Sequence, residues 1–185
     1  GPGSENSFGG VAQAYAESVP ILVIPAGYPR RQSNLPPNFS SALNMRGVAK
    51  WVESVSFADQ IPDAMRRAFT QARNGRPRPC IVEIPVDVMT EEFAGEIDYK
   101  PVLTARCAPD RRDVAKAAQV LLDAKRPVLY AGQGVHYAKA WKPLRELAEM
   151  LAIPVATTLA GKSAFPENHP LSIGSGGSTF PKQAH

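Results

Sequence analysis

Short apolar segments recur along the chain, and each one follows a segment with helical periodicity. The apolar segments cover residues 19–27, 79–88, 126–134 and 153–161; each starts at or next to a proline, and each ends at or next to a Gly or Asp. Nearly continuous apolar runs are typical of strands that are buried on both faces of a parallel sheet. The alternation of helix and strand therefore predicts an α/β fold class.

Strands are predicted over residues 20–25, 80–85, 127–130 and 154–158. The helix before the third strand is predicted to start after Asp110, which would act as its N-cap. The apolar face predicted for this helix is formed by Val114, Ala117, Ala118, Leu121 and Leu122. An apolar stripe of this kind normally packs on a core.

The alternation is interrupted twice. Residues 28–51 form a long, mostly polar segment after the first strand, and loops of this length in compact domains are usually functional. Residues 90–110 have no sustained periodicity and are rich in turn-forming and charged residues. We interpret residues 91–110 as a linker between two α/β domains, residues 1–90 and 111–185, each with its own parallel sheet.

Composition excludes several classes of function. Hydrophobic residues make up 44% of the chain and charged residues 21%, as in globular proteins, and no apolar run reaches the length of a membrane span. No secretory signal pattern is present, so we expect a cytoplasmic protein without a membrane partner. The net charge is +4, and its basic residues are scattered without interleaved aromatic residues, so we expect no nucleic-acid partner.

Candidate chemistry is sparse. The three histidines lie far apart in the sequence, and no Cys or carboxylate stands at ligand spacing from them, so no metal site is predicted. Ser and Cys nucleophiles lack a recognisable elbow or partner histidine, so no catalytic residue is predicted in this chain. Gly132 and Gly134, in the sequence AGQGVH after the third strand, could bind a nucleotide phosphate at a helix N-terminus. The alternative is a tight turn that requires glycine, since the full G-x-G-x-x-G pattern is absent.

An ordered set of motifs runs through the whole chain. These are GPG with Asn6 and Gly9-Gly10, then GRPRPCIVEIPVDV, RPVLYAGQGV, and finally TTLAGKSAFPENHPLSIG. In this order they resemble the acetolactate synthase-like family of thiamine-diphosphate-dependent enzymes. The resemblance implies the C-terminal part of a pyrimidine-binding domain followed by the N-terminal part of a Rossmann-like central domain, both incomplete. The chain is thus interpreted as an internal fragment.

The resemblance also implies cofactors and site residues. The parent protein is expected to use thiamine diphosphate and Mg²⁺, with Pro2 and Asn6 on the pyrimidine side if residues 1–4 are not a tag remnant. Asn38 and Phe39 are expected near the substrate, in LPPNFSS, where acetolactate synthases often have Phe-Gln-Glu. Some relatives bind FAD in the central domain; we expect no flavin here, because GSGGS at residues 174–178 replaces their Gly-Met-His-Gly.

The function implied for the parent is decarboxylation of a 2-keto acid, or ligation of its acyl unit to a second carbonyl, in a homodimer or homotetramer. The chain by itself is expected to be inactive, because the activating glutamate and the metal-binding motif of the family are not found in it. One alternative is an oxalyl-CoA decarboxylase-like or glyoxylate carboligase-like member. The other is a non-catalytic α/β nucleotide-binding module with its site at residues 132–134.

Overall fold

The computed structural model describes residues 2–33, 35–104 and 107–176 of the chain. The chain divides into two compact units, Gly1–Cys107 (unit 1) and Ala108–His185 (unit 2). Each unit contains its own sheet, and all strand pairs given for both sheets are parallel. The predicted α/β class with two separate parallel sheets is confirmed. The assignment of residues 1–90, 91–110 and 111–185 to named domains stays a prediction.

Unit 1 is built around one central strand. Its elements are α1 (Pro2–Glu5), α2 (Phe8–Ala16), β1 (Leu22–Val23), β2 (Ala26–Gly27), α3 (Ser41–Asn44), β3 (Trp51–Ser54), α4 (Ile61–Arg73) and β4 (Cys80–Pro85), with 3-10 turns at Arg30–Gln32, Arg46–Val48 and Ala58–Gln60. Strands β1 and β2 keep a single register along β4, since Leu22 lies opposite Cys80 and Ala26 opposite Ile84. Strand β3 pairs with the other side of β4.

The first predicted strand, residues 20–25, is replaced by two short pieces. Strand β1 ends at Val23 and β2 begins at Ala26, so the ladder is interrupted at Ile24 and Pro25. Proline has no N–H to donate to a neighbouring strand, which accounts for the break. The carbonyl of Pro25 still accepts a bond from the Ile84 N–H at 3.0 Å, so the chain keeps its direction.

Both faces of β4 are covered. On one face Cys80, Val82 and Ile84 form a core with α4, which presents alanines at i, i+4 and i+8. These alanines are Ala64, Ala68 and Ala72. The other face of β4 carries Ile81 and Glu83, both buried, on the side where α3 packs. A strand covered on two sides explains the apolar run that the sequence shows at residues 80–85.

Unit 2 has a smaller sheet. Its elements are α5 (Arg111–Asp123), β5 (Leu129–Ala131), α6 (Gly134–Ala138), α7 (Trp141–Leu151), β6 (Val155–Thr158) and β7 (Ser172–Gly176), with strand order β5-β6-β7. Its core contains Ala131, Ala148, Val155 and Phe165. Strand β7 was not predicted, because its sequence SIGSG lacks the apolar residues that identify the other strands.

Helix α5 differs from the expectation in one respect. Asp110 is its N-cap as predicted, and its side chain accepts a bond from the Arg112 N–H at 2.8 Å. In the part of the chain that the structure describes, however, the predicted apolar face does not pack on a core: Val114 is 49% exposed and Leu122 62%. Within the described ranges, no helix is both long and apolar enough to cross a bilayer.

Candidate functional site

The carboxyl end of the unit 1 sheet is the place to look for a ligand site, because ligands of parallel sheets bind beyond the carboxyl ends of the strands. The chain leaves this edge after Gly27 and returns to the start of β3 at Trp51. We call residues 28–50 the crossover segment. It contains Asn38 and Phe39, the residues expected on the substrate side.

Arg30 fixes the start of the crossover segment to the end of β4. Its backbone N–H donates to Asp87 Oδ1 at 3.1 Å, and its Nε donates to Asp87 Oδ2 at 2.9 Å. Its Nη1 donates to the Ser56 carbonyl at 2.9 Å, and its Nη2 forms an ion pair with Glu91. The side-chain hydrogen bond that Arg30 donates to Asp87 lowers the pKa of the Asp87 carboxyl group and raises the pKa of the Arg30 guanidinium. The guanidinium of Arg30 thus joins the start of the crossover segment to the loop after β3 and to the segment after β4.

Asn38 and Phe39 lie within a turn whose hydrogen bonds are formed mostly between residues of the turn itself. The Asn38 backbone N–H donates to the Leu35 carbonyl at 2.8 Å, and its side-chain Nδ2 donates to the Gln32 carbonyl at 2.9 Å. Both residues are half-buried. The amide group of Asn38 therefore shapes the segment, whereas a contact of either residue with substrate stays a prediction.

The other end of the crossover segment is joined to α4 through Lys50. Its Nζ donates to the carbonyls of Gln71, Asn74 and Arg76 at 2.6, 2.5 and 3.0 Å. Gln71 lies in the last turn of α4, where carbonyl groups lack intrahelical partners, and Asn74 and Arg76 directly follow the helix. The sequence analysis missed this contact, because residues 50 and 71–76 are not at any recognisable helical spacing.

Pro2 and Asn6 lie at the beginning of unit 1. Pro2 belongs to α1, and its side chain falls outside what the structure describes. Asn6 is exposed in the turn between α1 and α2, and the N-cap position of α2 is occupied by Ser7. Their assignment to a cofactor pocket stays a prediction.

Gly132 and Gly134 lie in unit 2, between β5 and the five-residue helix α6. A Cβ on Gly134 would meet no atom within 4 Å, so this turn does not need a glycine there for steric reasons. The close approach is at Gly161 instead, where a Cβ would lie 2.4 Å from the Ala131 carbonyl oxygen. A role for Gly132 and Gly134 in binding a nucleotide stays a prediction. The expected absence of flavin, which was based on GSGGS at residues 174–178, also stays a prediction, and Gly177 and Ser178 lie outside the described residues.

An aromatic and imidazole pair lies next to this turn. Trp141 Nε1 donates to His136 Nδ1 at 3.0 Å, and His136 Nε2 lies 3.0 Å from the Lys162 carbonyl oxygen. Because an indole N–H can only donate, Nδ1 of His136 is the acceptor and Nε2 carries the proton. The imidazole of His136 thus links α6, α7 and the loop after β6.

The described residues do not form a metal centre. No group of three or more His, Cys, Asp or Glu side chains among them could hold a metal ion. A diphosphate bound through Mg²⁺ needs oxygen ligands around the cation, and the described residues offer no cluster of three carboxylates for it. The residues present therefore do not fit the metal–diphosphate part of the expected cofactor, and we derive no step through it.

Comparisons with known proteins agree with the motifs. Residues 114–185 match the family described as thiamine pyrophosphate enzyme, central domain. The chain is 36% identical to acetolactate synthase from Arthrospira platensis, across 94% of this chain and 31% of that protein. It is 34% identical to glyoxylate carboligase from Escherichia coli O157:H7, across 94% of this chain and 30% of that protein.

A solved structure of benzoylformate decarboxylase from Polynucleobacter necessarius matches 95% of this chain with a TM-score of 0.83 and 28% sequence identity, over 34% of its own length. The chain thus spans about a third of the length of the proteins it matches.

Proposed function

Because the chain belongs to the thiamine-diphosphate-dependent enzymes of the acetolactate synthase-like type, we propose that it is part of an enzyme that decarboxylates a 2-keto acid or transfers its acyl unit to a second carbonyl compound. The observation that carries this proposal is that the similarity extends over 94% of the chain and so includes both units. The names of the relatives support a carboligase or decarboxylase.

In this proposal the chain shapes the site and other parts of the enzyme carry the reactive groups. Thiamine diphosphate, when bound, would supply the electron sink for this chemistry. Pro2 and Asn6 lie on its pyrimidine side, and Mg²⁺ is held outside the described residues. Asn38 and Phe39 contact the keto acid and exclude water, while Arg30 and Asp87 hold their segment in place.

A subunit pair is part of the proposal. We propose a homodimer or homotetramer in which the site of each subunit is completed by its neighbour. The 185-residue chain by itself is then expected to release no CO₂, since the described part of the chain offers no cluster for the metal.

The experiment follows CO₂ release from pyruvate, glyoxylate and benzoylformate by the natural full-length protein, with and without thiamine diphosphate and Mg²⁺. We expect release that depends on both additions. Titration calorimetry with ADP and with FAD covers the alternative of a nucleotide-binding module at Gly132 and Gly134. Nucleotide binding without cofactor-dependent CO₂ release would contradict the proposal.

The substrate-side assignment has its own test. Phe39→Ala is expected to raise the KM for the keto acid about tenfold, the usual effect of removing an apolar contact to substrate. Leu35→Ala is the matched control, because Leu35 lies in the same segment and is 54% exposed. Equal effects of the two changes would show that Phe39 makes no specific contact.

A further inference from the structure

The central strand of unit 1 is buried throughout, and a single carboxyl group interrupts its apolar sequence. Strand β4 reads CIVEIP, all six residues are buried, and Glu83 is 3% exposed. Burial of such a group without hydrogen bonds would destabilise the unit. A leucine of similar length would fill the same space, so the contacts of Glu83 need an explanation.

Both carboxyl oxygens of Glu83 accept hydrogen bonds from chain segments next to β4. Oε2 accepts from the backbone N–H of Ala42 in α3 at 3.0 Å. Oε1 accepts from the hydroxyl of Ser54 at 3.3 Å, the residue opposite Glu83 in the β3–β4 ladder. One side chain thus connects β4 with β3 and with the crossover segment.

The strand on the other side of β4 leaves room for this side chain. A Cβ on Gly27 would lie 3.0 Å from Glu83 Cγ and 3.3 Å from its Cδ, which is tighter than ordinary contact. Glycine at this position therefore lets the carboxyl group reach Ala42 and Ser54 without displacement. The surroundings of the Glu83 carboxyl group are thus formed by residues of three strands, β2, β3 and β4.

The contact with Ala42 holds the middle of the crossover segment. Ser40 caps α3 by accepting from the Leu43 N–H at 3.2 Å, and Asn44 Nδ2 donates to the Ser40 carbonyl at 2.8 Å. These bonds make residues 40–44 a small rigid unit, directly after Asn38 and Phe39. Among the described residues, the bond to Glu83 is the hydrogen bond that links this unit to the sheet.

We propose that Glu83 is a positioning residue: it fixes residues 40–44 to the sheet and thereby sets the place of Asn38 and Phe39 at the substrate site. This inference rests on the proposed function, since it concerns the residue that holds Asn38 and Phe39 at the proposed substrate site. Glu83 itself touches no reacting atom and acts through the backbone of Ala42.

The first measurement is hydrogen exchange of the 185-residue chain. Glu83→Leu removes the acceptors and leaves the Ala42 N–H without its partner, so the exchange of amides 38–44 should accelerate at least about tenfold. Glu83→Gln keeps an acceptor for Ala42 and can donate to Ser54, so its exchange should stay within about threefold of the natural sequence. Val82→Ala is the matched control, because it weakens the same strand on the face that packs against α4.

The inference is overturned if Glu83→Leu leaves the exchange of amides 38–44 unchanged. It is also overturned if Val82→Ala accelerates these amides as much as Glu83→Leu does, because the effect would then be general destabilisation. Failure of Glu83→Gln to restore protection would equally exclude a hydrogen-bonding role.

The second measurement separates this inference from the proposed function. In the natural full-length protein, Glu83→Leu should raise the KM for the keto acid about tenfold with a smaller change in kcat, and Glu83→Gln should restore the KM. If the unmodified protein shows cofactor-dependent turnover and Glu83→Leu does not change KM, the inference alone fails. If the unmodified protein shows no turnover, the proposed function fails and the positioning role falls with it, whereas the exchange data still decide whether Glu83 anchors the segment.

Discussion

The most direct test of the packing concerns Lys50, whose ammonium group caps the end of α4. Its Nζ donates to the carbonyls of Gln71, Asn74 and Arg76, at 2.6, 2.5 and 3.0 Å. Lys50→Met keeps most of the aliphatic side chain and the backbone bond from residue 50 to the Pro79 carbonyl, and removes only the charge and the donors.

The expected loss is about 2 kcal/mol in the free energy of unfolding of unit 1. A net hydrogen bond from a charged donor contributes about 1.5–3 kcal/mol when buried, and a cation at a helix C-terminus about 0.3–1 kcal/mol. Lys50 is half-exposed, so solvent reduces both contributions and their sum is discounted to about 2 kcal/mol.

The assay is urea unfolding followed by tryptophan fluorescence. The chain has two tryptophans, so a Trp141→Phe background leaves Trp51 as the reporter of unit 1. With a denaturant slope of about 2 kcal/mol per molar for a unit of this size, the midpoint should fall by about 1 M urea. An unchanged midpoint would refute the reasoning.

The control is Lys100→Met, also in unit 1. The Lys100 side chain is 86% exposed and its Nζ lies 3.8 Å from Asp98, a surface pair that contributes about 0–1 kcal/mol. Its removal should shift the midpoint by a small fraction of the Lys50→Met effect. Equal shifts would mean that loss of positive charge, and not the cap on α4, weakens the unit.

Three further predictions follow from particular contacts. Gly161→Ala should destabilise unit 2 by about 1–3 kcal/mol in urea unfolding followed by its tryptophan, because the new Cβ would clash with backbone, whereas Gly134→Ala has open space and should change little. A thiol reagent should modify Cys107 but not Cys80 in the native chain, since Cys80 is fully buried and burial raises its pKa; both should react in urea, and rapid native modification of Cys80 would contradict the packing of β4. The hydrogen bond from the Arg30 guanidinium lowers the pKa of Asp87 in the folded state. The stability that this ion pair adds is therefore present above the unfolded pKa of about 3.9 and is lost as the pH falls through the lower pKa of the folded state. Asp87→Asn should therefore weaken unit 1 at pH 7 but have little effect near pH 2, and equal losses at both pH values would exclude the ion pair as the cause.

The sequence alone determined the class of the fold, because strands buried on both faces must be continuous in apolar residues. That is why the strand Cys80–Pro85 was predicted with its observed bounds, and why the strand predicted at residues 154–158 is found as Val155–Thr158. The ordered motifs were sufficient to show the resemblance to the family, since they extend over both units. The N-cap at Asp110 was also predictable, because capping depends on the residues next to it in the chain.

The tertiary structure decided what depends on residues far apart in the sequence. The sequence of α5 could not reveal whether its apolar face is buried. A stripe of Val and Leu shows that a helix can pack on a core, but it does not show which part of the protein it packs against. The need for glycine at residue 161, and not at residue 134, arises from the approach of a strand 30 residues earlier, at Ala131. Glu83 appears in the sequence as one acidic residue within a strand. Only folding places Ala42 and Ser54, 41 and 29 residues away, at its two oxygens, because a hydrogen bond requires proximity in space that no local pattern encodes.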